Sequence, residues 1–278
     1  MARRNVYYGG QVGESLFLDI WDDTEYFFSL NRGGTSTTDV VQGFNSLSNV
    51  QDFTPEELQD GTFASFAGGA IVGAQRLYNQ GTASVFFTAQ DIRRPNIGNP
   101  SLYIYNDRMY LSAVENNSFM QLNNASSILD KNSTVYITYR SQNGLSIGGL
   151  LTERQTSNRR IAIFSDTRDF DFRHSNYRPS GINNPLSYAS QQPQNELRVI
   201  AYRRNGNLVE AFDESGLVID SLTSSDVFGG GTSLNLFLQI IGPLYFRGHI
   251  AEVIIRETAD SNPTLQEIIN HRRDYYGI

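Results

Sequence analysis

The stretch FRGHIAEVIIR, residues Phe246–Arg256, decides the fold that we predict for this chain. Its β-branched and aromatic residues predict a long strand. A helical pattern follows from about Pro263 to Tyr276, where Thr264 and Glu267 can form a capping box and Gly277 is placed to end the helix. The residues on one face of this helix are mostly apolar: Leu265, Ile268, Ile269, Arg272, Tyr275 and Tyr276. We therefore predict a closing strand followed by an amphipathic helix that packs on the edge of a sheet structure.

Nine further segments of the same kind lie between clusters of turn residues, so at least ten strands and an all-β sandwich are predicted. The Asn205-Gly206 pair predicts a type I′ hairpin, and Asp213–Gly216 predicts the next turn. The nine segments are Ser15–Ile20, Tyr26–Leu30, Leu102–Tyr105, Met109–Val114, Thr134–Tyr139, Arg160–Phe164, Glu196–Arg203, Leu208–Asp213 and Leu234–Ile241.

Three other features complete the predicted organisation. A short helix near residues 54–66 is indicated by Thr54 as N-cap, Pro55 at the first helical position and acids in the first turn. Residues 173–194 contain three prolines and no periodicity, which predicts a loop of functional interest. We expect a single domain over residues 1–278, with residues 1–50 as a candidate extension that contacts other subunits.

Composition excludes several classes of protein. The 278 residues carry a formal net charge of -7, no cysteine and three histidines, so disulfides, zinc ribbons and thiol nucleophiles are excluded and a histidine metal site is not expected. The acidic balance argues against nucleic-acid binding. No apolar run predicts membrane insertion or a signal peptide, so we expect synthesis in the cytoplasm without export. Lys131 is the single lysine, and the arginine bias suits either protein-facing contacts or a codon bias.

Candidate site residues cluster in the stretch from Phe164 to His174. Asp169 and Asp171 would share one strand face with Arg173, and an acid/base pair or a weak calcium site could be built there with Asp166. The alternative is a solvated strand edge with the phenylalanines packed inward. Glycan or partner contact is predicted for these residues, for Tyr177 in the adjoining loop, and for Trp21, which could stack on a sugar or lie at the edge of the core. No catalytic residue, metal ligand or cofactor is assigned.

The chain resembles concanavalin A-like lectin/glucanase (laminin G-like) jelly-roll domains at its end, through the run from Leu244 to Ile255 and the closing Asp274–Ile278. Its first half is similar to the arabinofuranosidase B-type domains that are frequent among tailed-phage virion proteins. The residues that carry this second resemblance are Tyr26–Gly34 with Asp39-Val40, Leu58–Gly69, Leu77–Gly81 and Arg94–Ile97.

The departures from that family concern its acids. The hydrolases carry an acidic segment before the closing strand, where this chain has Gln239–Leu244, and a glutamate nucleophile strand whose nearest match, Ser165–Phe172, contains no glutamate. Asn79 stands where the family has an aspartate, and the family's cysteines are absent. A glycosidase needs two carboxylates across the scissile bond, and this pair is not found.

The resemblance therefore implies a non-enzymatic virion protein of a tailed phage. It would serve as a tail fibre, baseplate accessory or capsid-surface module, oligomeric in the assembly, that binds host-surface polysaccharide or neighbouring virion subunits. Two alternatives remain open: a glycoside hydrolase of arabinofuranosidase type, and a free-standing lectin.

Overall fold

A computed structural model describes residues 24–31, 39–89, 94–98, 108–113, 118–125, 129, 131–141, 147–156, 159–166, 171–177, 183–187, 196–223, 232–239 and 244–278. In these ranges the chain forms two helices and twenty strands. The helices are α1 (Thr62–Ala67) and α2 (Asn262–Tyr276). The strands are β1 (Tyr26–Ser29), β2 (Val41–Phe44), β3 (Val50–Phe53), β4 (Gly73–Tyr78), β5 (Phe86–Ala89), β6 (Asn96–Gly98), β7 (Tyr110–Ser112), β8 (Met120–Ala125), β9 (Ser133–Ser141), β10 (Ile147–Thr156), β11 (Arg159–Asp166), β12 (Asp171–Tyr177), β13 (Asn183–Ser187), β14 (Arg198–Asn205), β15 (Leu208–Phe212), β16 (Val218–Thr223), β17 (Thr232–Leu236), β18 (Leu238–Gln239), β19 (Leu244–Tyr245) and β20 (Gly248–Arg256).

The strands pair in two arrays. The smaller sheet runs β16–β15–β14–β9–β20, and both β1 and β7 pair along the other side of β20. The larger sheet runs β3–β2–β4–β5–β8–β17–β10–β11–β12–β13. Strand β6 pairs with β7 and with β4, so it links the two sheets, while β18 and β19 form a short ribbon beside β10. All these ladders are antiparallel except the single β10–β19 pairing.

One hydrophobic core fills the space between the sheets. Alternate residues of the smaller sheet, such as Val135, Ile137 and Val253, join residues of the larger sheet, such as Leu77 and Leu151, in one buried cluster. The predicted all-β jelly-roll sandwich is thereby confirmed. Because a strand turns successive side chains to opposite faces, the same ladders leave each sheet with a second, outer face.

Helix α2 packs against the outer face of the smaller sheet, not against the sandwich edge as predicted. Its buried residues are the six that the sequence placed on one face, a stripe wide enough to cover several strands. Gly277 ends the helix in the left-handed conformation with φ 71°, as predicted. The N-cap prediction was wrong: the helix begins at Asn262, and the Ser261 side chain accepts from the Thr264 amide at 3.3 Å.

The helix predicted near residues 54–66 is displaced toward the chain's C-terminus. Thr54 and Glu57 do form a reciprocal capping box, with Oγ1 accepting from the Glu57 amide at 3.2 Å and Oε2 accepting from the Thr54 amide at 2.9 Å. Residues 55–59 make only hydrogen-bonded turns, and the regular helix α1 begins after Gly61, whose φ of 98° interrupts the helical path.

Two more predictions differ from the structure. Residues 173–194 are not a continuous loop, because β12 and β13 pair through Arg173–Tyr177 and Asn183–Ser187. The β14–β15 hairpin turns through Gly206 and Asn207, and of these two only Gly206 has a positive φ (59°), as at the first central position of a type II′ turn. The predicted strands Ser15–Ile20 and Leu102–Tyr105 lie outside the described residues.

Candidate functional site

The two outer faces of the sandwich differ in what lies on them. On the smaller sheet, Tyr136, Val199 and Ile254 form a second apolar cluster with residues of α2, so this face is closed by the helix. The larger sheet has a polar outer face with no helix against it among the described residues. The outer face of the larger sheet is therefore the candidate surface for a binding site.

A continuous row of polar residues crosses this outer face. Cross-strand register places each member directly opposite the next, and directly opposed residues of an antiparallel pair share a face. From β3 to β10 the row, which we call the polar row, consists of Asp52, Gln42, Arg76, Thr88, Gln121, Asn235 and Thr152.

The neighbouring row on the inner face is wholly apolar, which confirms the direction of the polar row. Phe53, Val41, Leu77 and Phe87 are opposed across β3, β2, β4 and β5, and each is at most 3% exposed. The sheet thus separates core from surface with a two-residue period.

The centre of the polar row is buried. Asn235 and Thr152 are both 0% exposed, and the Asn235 amide nitrogen donates to the Thr152 carbonyl at 3.3 Å. Asn235 Oδ1 and Thr152 Oγ1 have no hydrogen-bond partner among the described residues. Buried polar atoms without partners cost free energy, so these two atoms destabilise the fold, and their enclosure leaves ligand contact to the more exposed members of the row.

The β3 end of the row is more open and combines charge with aromatic rings. We call Gln42, Asp52, Arg76, Tyr78 and Phe86 the Phe86 cluster. Asp52 Oδ1 accepts from the Tyr78 hydroxyl at 2.7 Å and from the Gln42 amide at 2.9 Å. These bonds fix the orientation of the carboxylate.

Phe86 is the exposed ring of this cluster. Phe86 is 39% exposed, and the centroid of its ring lies 5.9 Å from the centroid of the Tyr78 ring. The guanidinium carbon of Arg76 lies 5.0 Å from the Phe86 centroid. Burial, followed by the hydrogen bond to Asp52, raises the pKa of the Tyr78 hydroxyl, so the phenol remains a donor at neutral pH.

The residues predicted from the sequence lie elsewhere or cannot be placed. Asp166 and Asp171 are directly opposed at the end of the β11–β12 pair, while Arg173 and Tyr177 follow on β12, opposite Phe164 and Arg160. Their side chains lie outside the described part of the structure, as do Trp21 and Asp169 entirely. Their role as glycan or partner contacts stays a prediction.

Sequence reasoning missed the Phe86 cluster for a definite reason. The polar row depends on cross-strand register among seven chain segments, which a single sequence does not show. A local signal exists in β4, where Arg76 and Tyr78 flank Leu77, but the register shift opposite Gln42 interrupts the alternation.

In the described ranges there is no cluster of three histidine, aspartate or glutamate side chains that could hold a metal ion. None of the helices described is long and apolar enough to cross a membrane.

The described strands define a jelly-roll β-sandwich, and solved structures of similar fold include a glycoside hydrolase. Among solved structures, a mutant GH54 α-L-arabinofuranosidase soaked with 4-nitrophenyl α-L-arabinofuranoside is similar over 93% of this chain, with a TM-score of 0.63 and 9% identity. The GH54 enzyme soaked with a cyclic sulfate inhibitor gives a TM-score of 0.57 at 10% identity. A botulinum neurotoxin type C structure, whose cell entry depends on two ganglioside molecules, is similar over 70% of this chain, with a TM-score of 0.53 and 9% identity.

These likenesses concern the fold. This chain spans 65% of the arabinofuranosidase chain and 48% of the neurotoxin chain, less than two thirds of either. No protein-family model and no curated protein sequence matches the chain.

Proposed function

We propose that this chain is a non-enzymatic jelly-roll module of a tailed-phage virion, a tail-fibre, baseplate-accessory or capsid-surface subunit. Its outer face would bind host-surface glycan or a neighbouring virion subunit, and the module would be oligomeric in the assembled particle. The observation that carries this proposal is the difference between the outer faces, since one is sealed by α2 and the other carries the polar row.

The polar row suits recognition of a polyhydroxylated ligand. Its members supply amide, hydroxyl, guanidinium and carboxylate groups in a line across seven strands, beside an exposed aromatic ring. Sugar-binding sites need a few convergent polar groups of this kind with aromatic area. The fold likeness to an arabinofuranosidase and to a toxin whose cell entry involves gangliosides supports the same ligand class.

The absence of enzymatic activity is proposed from the sequence. The segments that match the acid-bearing segments of the resembling hydrolases contain neither the expected acid before the closing strand nor a glutamate in residues 165–172. Without two carboxylates across a glycosidic bond, general acid and nucleophile functions have no carriers.

The test uses phage particles from a genome that encodes this sequence. Purified virions are analysed by mass spectrometry and immunogold labelling, and virions with a stop codon early in the gene are compared for adsorption to host cells. We expect the chain in wild-type virions and slower adsorption or incomplete assembly without it. Wild-type virions that lack the chain would contradict the proposal.

A glycoside hydrolase is the second candidate, favoured by the similarity to the arabinofuranosidase over 93% of this chain. The purified protein is incubated with 4-nitrophenyl α-L-arabinofuranoside and with bacterial capsule polysaccharide. Released nitrophenol or shortened polysaccharide, lost in Asp166→Asn or Asp171→Asn, would favour the hydrolase over the non-enzymatic module.

A further inference from the structure

We propose that the Phe86 cluster is a binding site for one neutral sugar unit of a saccharide chain. The inference rests on the proposed function, in that it names the place and the ligand class of the glycan contact. It concerns the end of the larger sheet opposite to that of Asp166 and Asp171, the residues singled out from the sequence.

The aromatic platform is Phe86. Its ring is 39% exposed although it is held from two sides, by the Tyr78 ring at 5.9 Å and by the Arg76 guanidinium at 5.0 Å. A ring fixed in this way presents a flat apolar surface with little conformational entropy left to lose. The C–H face of a pyranose or furanose ring matches such a surface.

The polar partners stand beside this platform. Both hydrogen bonds that Asp52 accepts within the described part of the chain end on Oδ1, which leaves Oδ2 to accept from a ligand. Arg76 is half-buried and forms no ion pair with a described carboxylate; its Nε is enclosed and has no hydrogen-bond partner among the described residues, so a ligand would meet the exposed part of the guanidinium. A pair of adjacent sugar hydroxyls can donate to Asp52 and accept from Arg76, because these groups offer complementary functions side by side.

The charge of the surroundings selects a neutral ligand. The charge of Asp52 opposes that of Arg76, and two further carboxylates add to it: Asp39 lies near enough to interact with both Asp52 and Glu57. Burial, followed by the charges of Asp52 and Glu57, raises the pKa of Asp39, as expected where acids outnumber bases. A carboxylated sugar would be repelled by this field, whereas a neutral sugar would not.

The ligand can extend beyond the first sugar. Thr88, which is exposed, and Gln121, which is half-buried, follow Arg76 along the polar row toward the centre of the sheet. Adjacent strands of a sheet are about 4.8 Å apart, so these hydroxyl and amide groups lie within reach of the next sugar unit of a chain that follows the row.

The experiment measures binding of the whole chain to a printed array of glucose-, galactose- and arabinose-based oligosaccharides and their uronic-acid counterparts. The tightest neutral oligosaccharide of the array is then titrated calorimetrically into Phe86→Ala, Phe86→Tyr and Arg76→Gln. Leu217→Ala, at a side chain 66% exposed beside the smaller sheet, is the matched control. Thermal unfolding of each variant checks that it remains folded.

We expect neutral oligosaccharides to bind more tightly than their uronic counterparts. Phe86→Ala and Arg76→Gln should each weaken binding about tenfold, because stacking and a charged hydrogen bond each contribute on the order of 1 kcal/mol. Phe86→Tyr, which keeps the ring, and Leu217→Ala should bind as the wild type does.

Three results would overturn the site: no binding to the array, preference for uronic acids, or wild-type affinity in folded Phe86→Ala. Each leaves the virion proposal standing if the chain is present in particles. Conversely, a chain that is missing from virions but binds neutral sugars through Phe86 contradicts the virion role and keeps the site.

Discussion

Arg272 of α2 and Glu252 of β20 form a fully buried ion pair. Arg272 Nη1 lies 3.0 Å from Glu252 Oε2, and the two side chains are 0% and 1% exposed. Burial raises the pKa of Glu252, and the charge and hydrogen bond of Arg272 oppose that shift. The pair lies where α2 covers the smaller sheet, beside Tyr275, whose hydroxyl donates to the Asn31 carbonyl.

Removal of one partner of this pair should destabilise the fold strongly. Arg272→Met leaves the Glu252 carboxylate buried without its ion-pair partner, which should lower the free energy of unfolding by about 3–5 kcal/mol in urea titrations. The double variant Arg272→Met with Glu252→Met should recover much of the loss. Glu214→Gln, which removes a 43% exposed partner 3.8 Å from Arg198, is the control and should change stability by less than about 1 kcal/mol. Equal losses in Arg272→Met and Glu214→Gln would contradict this account.

Stability should fall in mild acid because of buried imidazoles. Burial, and then the charge of Arg140, lower the pKa of His249 to about 3, while His271 is lowered to about 3 by burial and by Arg272. In the unfolded chain both titrate near 6.5, so the unfolded state binds more protons between pH 6.5 and 3 and is favoured as the pH falls.

Urea unfolding at pH 7, 6 and 5 measures this pH dependence. Each histidine contributes a slope of at most about 1.4 kcal/mol per pH unit, which is half expressed at pH 6.5 and nearly complete at pH 5. His249→Asn should flatten the loss of stability between pH 6 and 5 relative to the wild type. An unchanged slope in that variant would show that His249 is not the titrating group.

The N-cap of α2 can be tested by comparing two hydroxyls three residues apart. Ser261→Ala should lower the free energy of unfolding by about 1 kcal/mol, because the Thr264 amide loses its acceptor. Thr264→Ala, at the residue that the sequence favoured as the cap, should cost less. If Thr264→Ala lowered the stability more than Ser261→Ala in thermal or urea unfolding, Thr264 would be the N-cap, as the sequence predicted.

The Thr152 hydroxyl has no hydrogen-bond partner in the described part of the chain, which predicts a stabilising substitution. Thr152→Val should raise the free energy of unfolding by about 1 kcal/mol, because a buried hydroxyl without a partner is replaced by a methyl group of similar size. Thr134, also 0% exposed, is the matched control, since its Oγ1 donates to the Thr258 carbonyl and accepts from the Asp260 amide, both at 2.8 Å. Thr134→Val should therefore lose about 1–3 kcal/mol. A loss in Thr152→Val as large as that in Thr134→Val would contradict the assignment.

The elements that depend only on residues close together in the sequence were predicted correctly from the local pattern of apolar and polar residues. The closing strand became β20 at Gly248–Arg256, and all six residues predicted on one face of α2 are buried. Strands whose pattern is weaker were missed: β2, β3, β4 and β5 are short, and their burial depends on the strands beside them. The predicted loop over residues 173–194 contains β12 and β13 for the same reason. Their residues have weak strand propensity, and the strands are stabilised by the pairing of β12 with β11 and of β13 with β12.

The sequence by itself determined the fold class, the amphipathic closing helix and the exclusion of cysteine and zinc chemistry, because composition and short-range periodicity carry these directly. Only the tertiary structure decided which outer face α2 covers and which carries the polar row, and it alone assembled Asp52, Arg76 and Phe86. These residues are distributed over three strands and meet only through register. Register is set jointly by all the paired strands and their shared core, so no single segment encodes it.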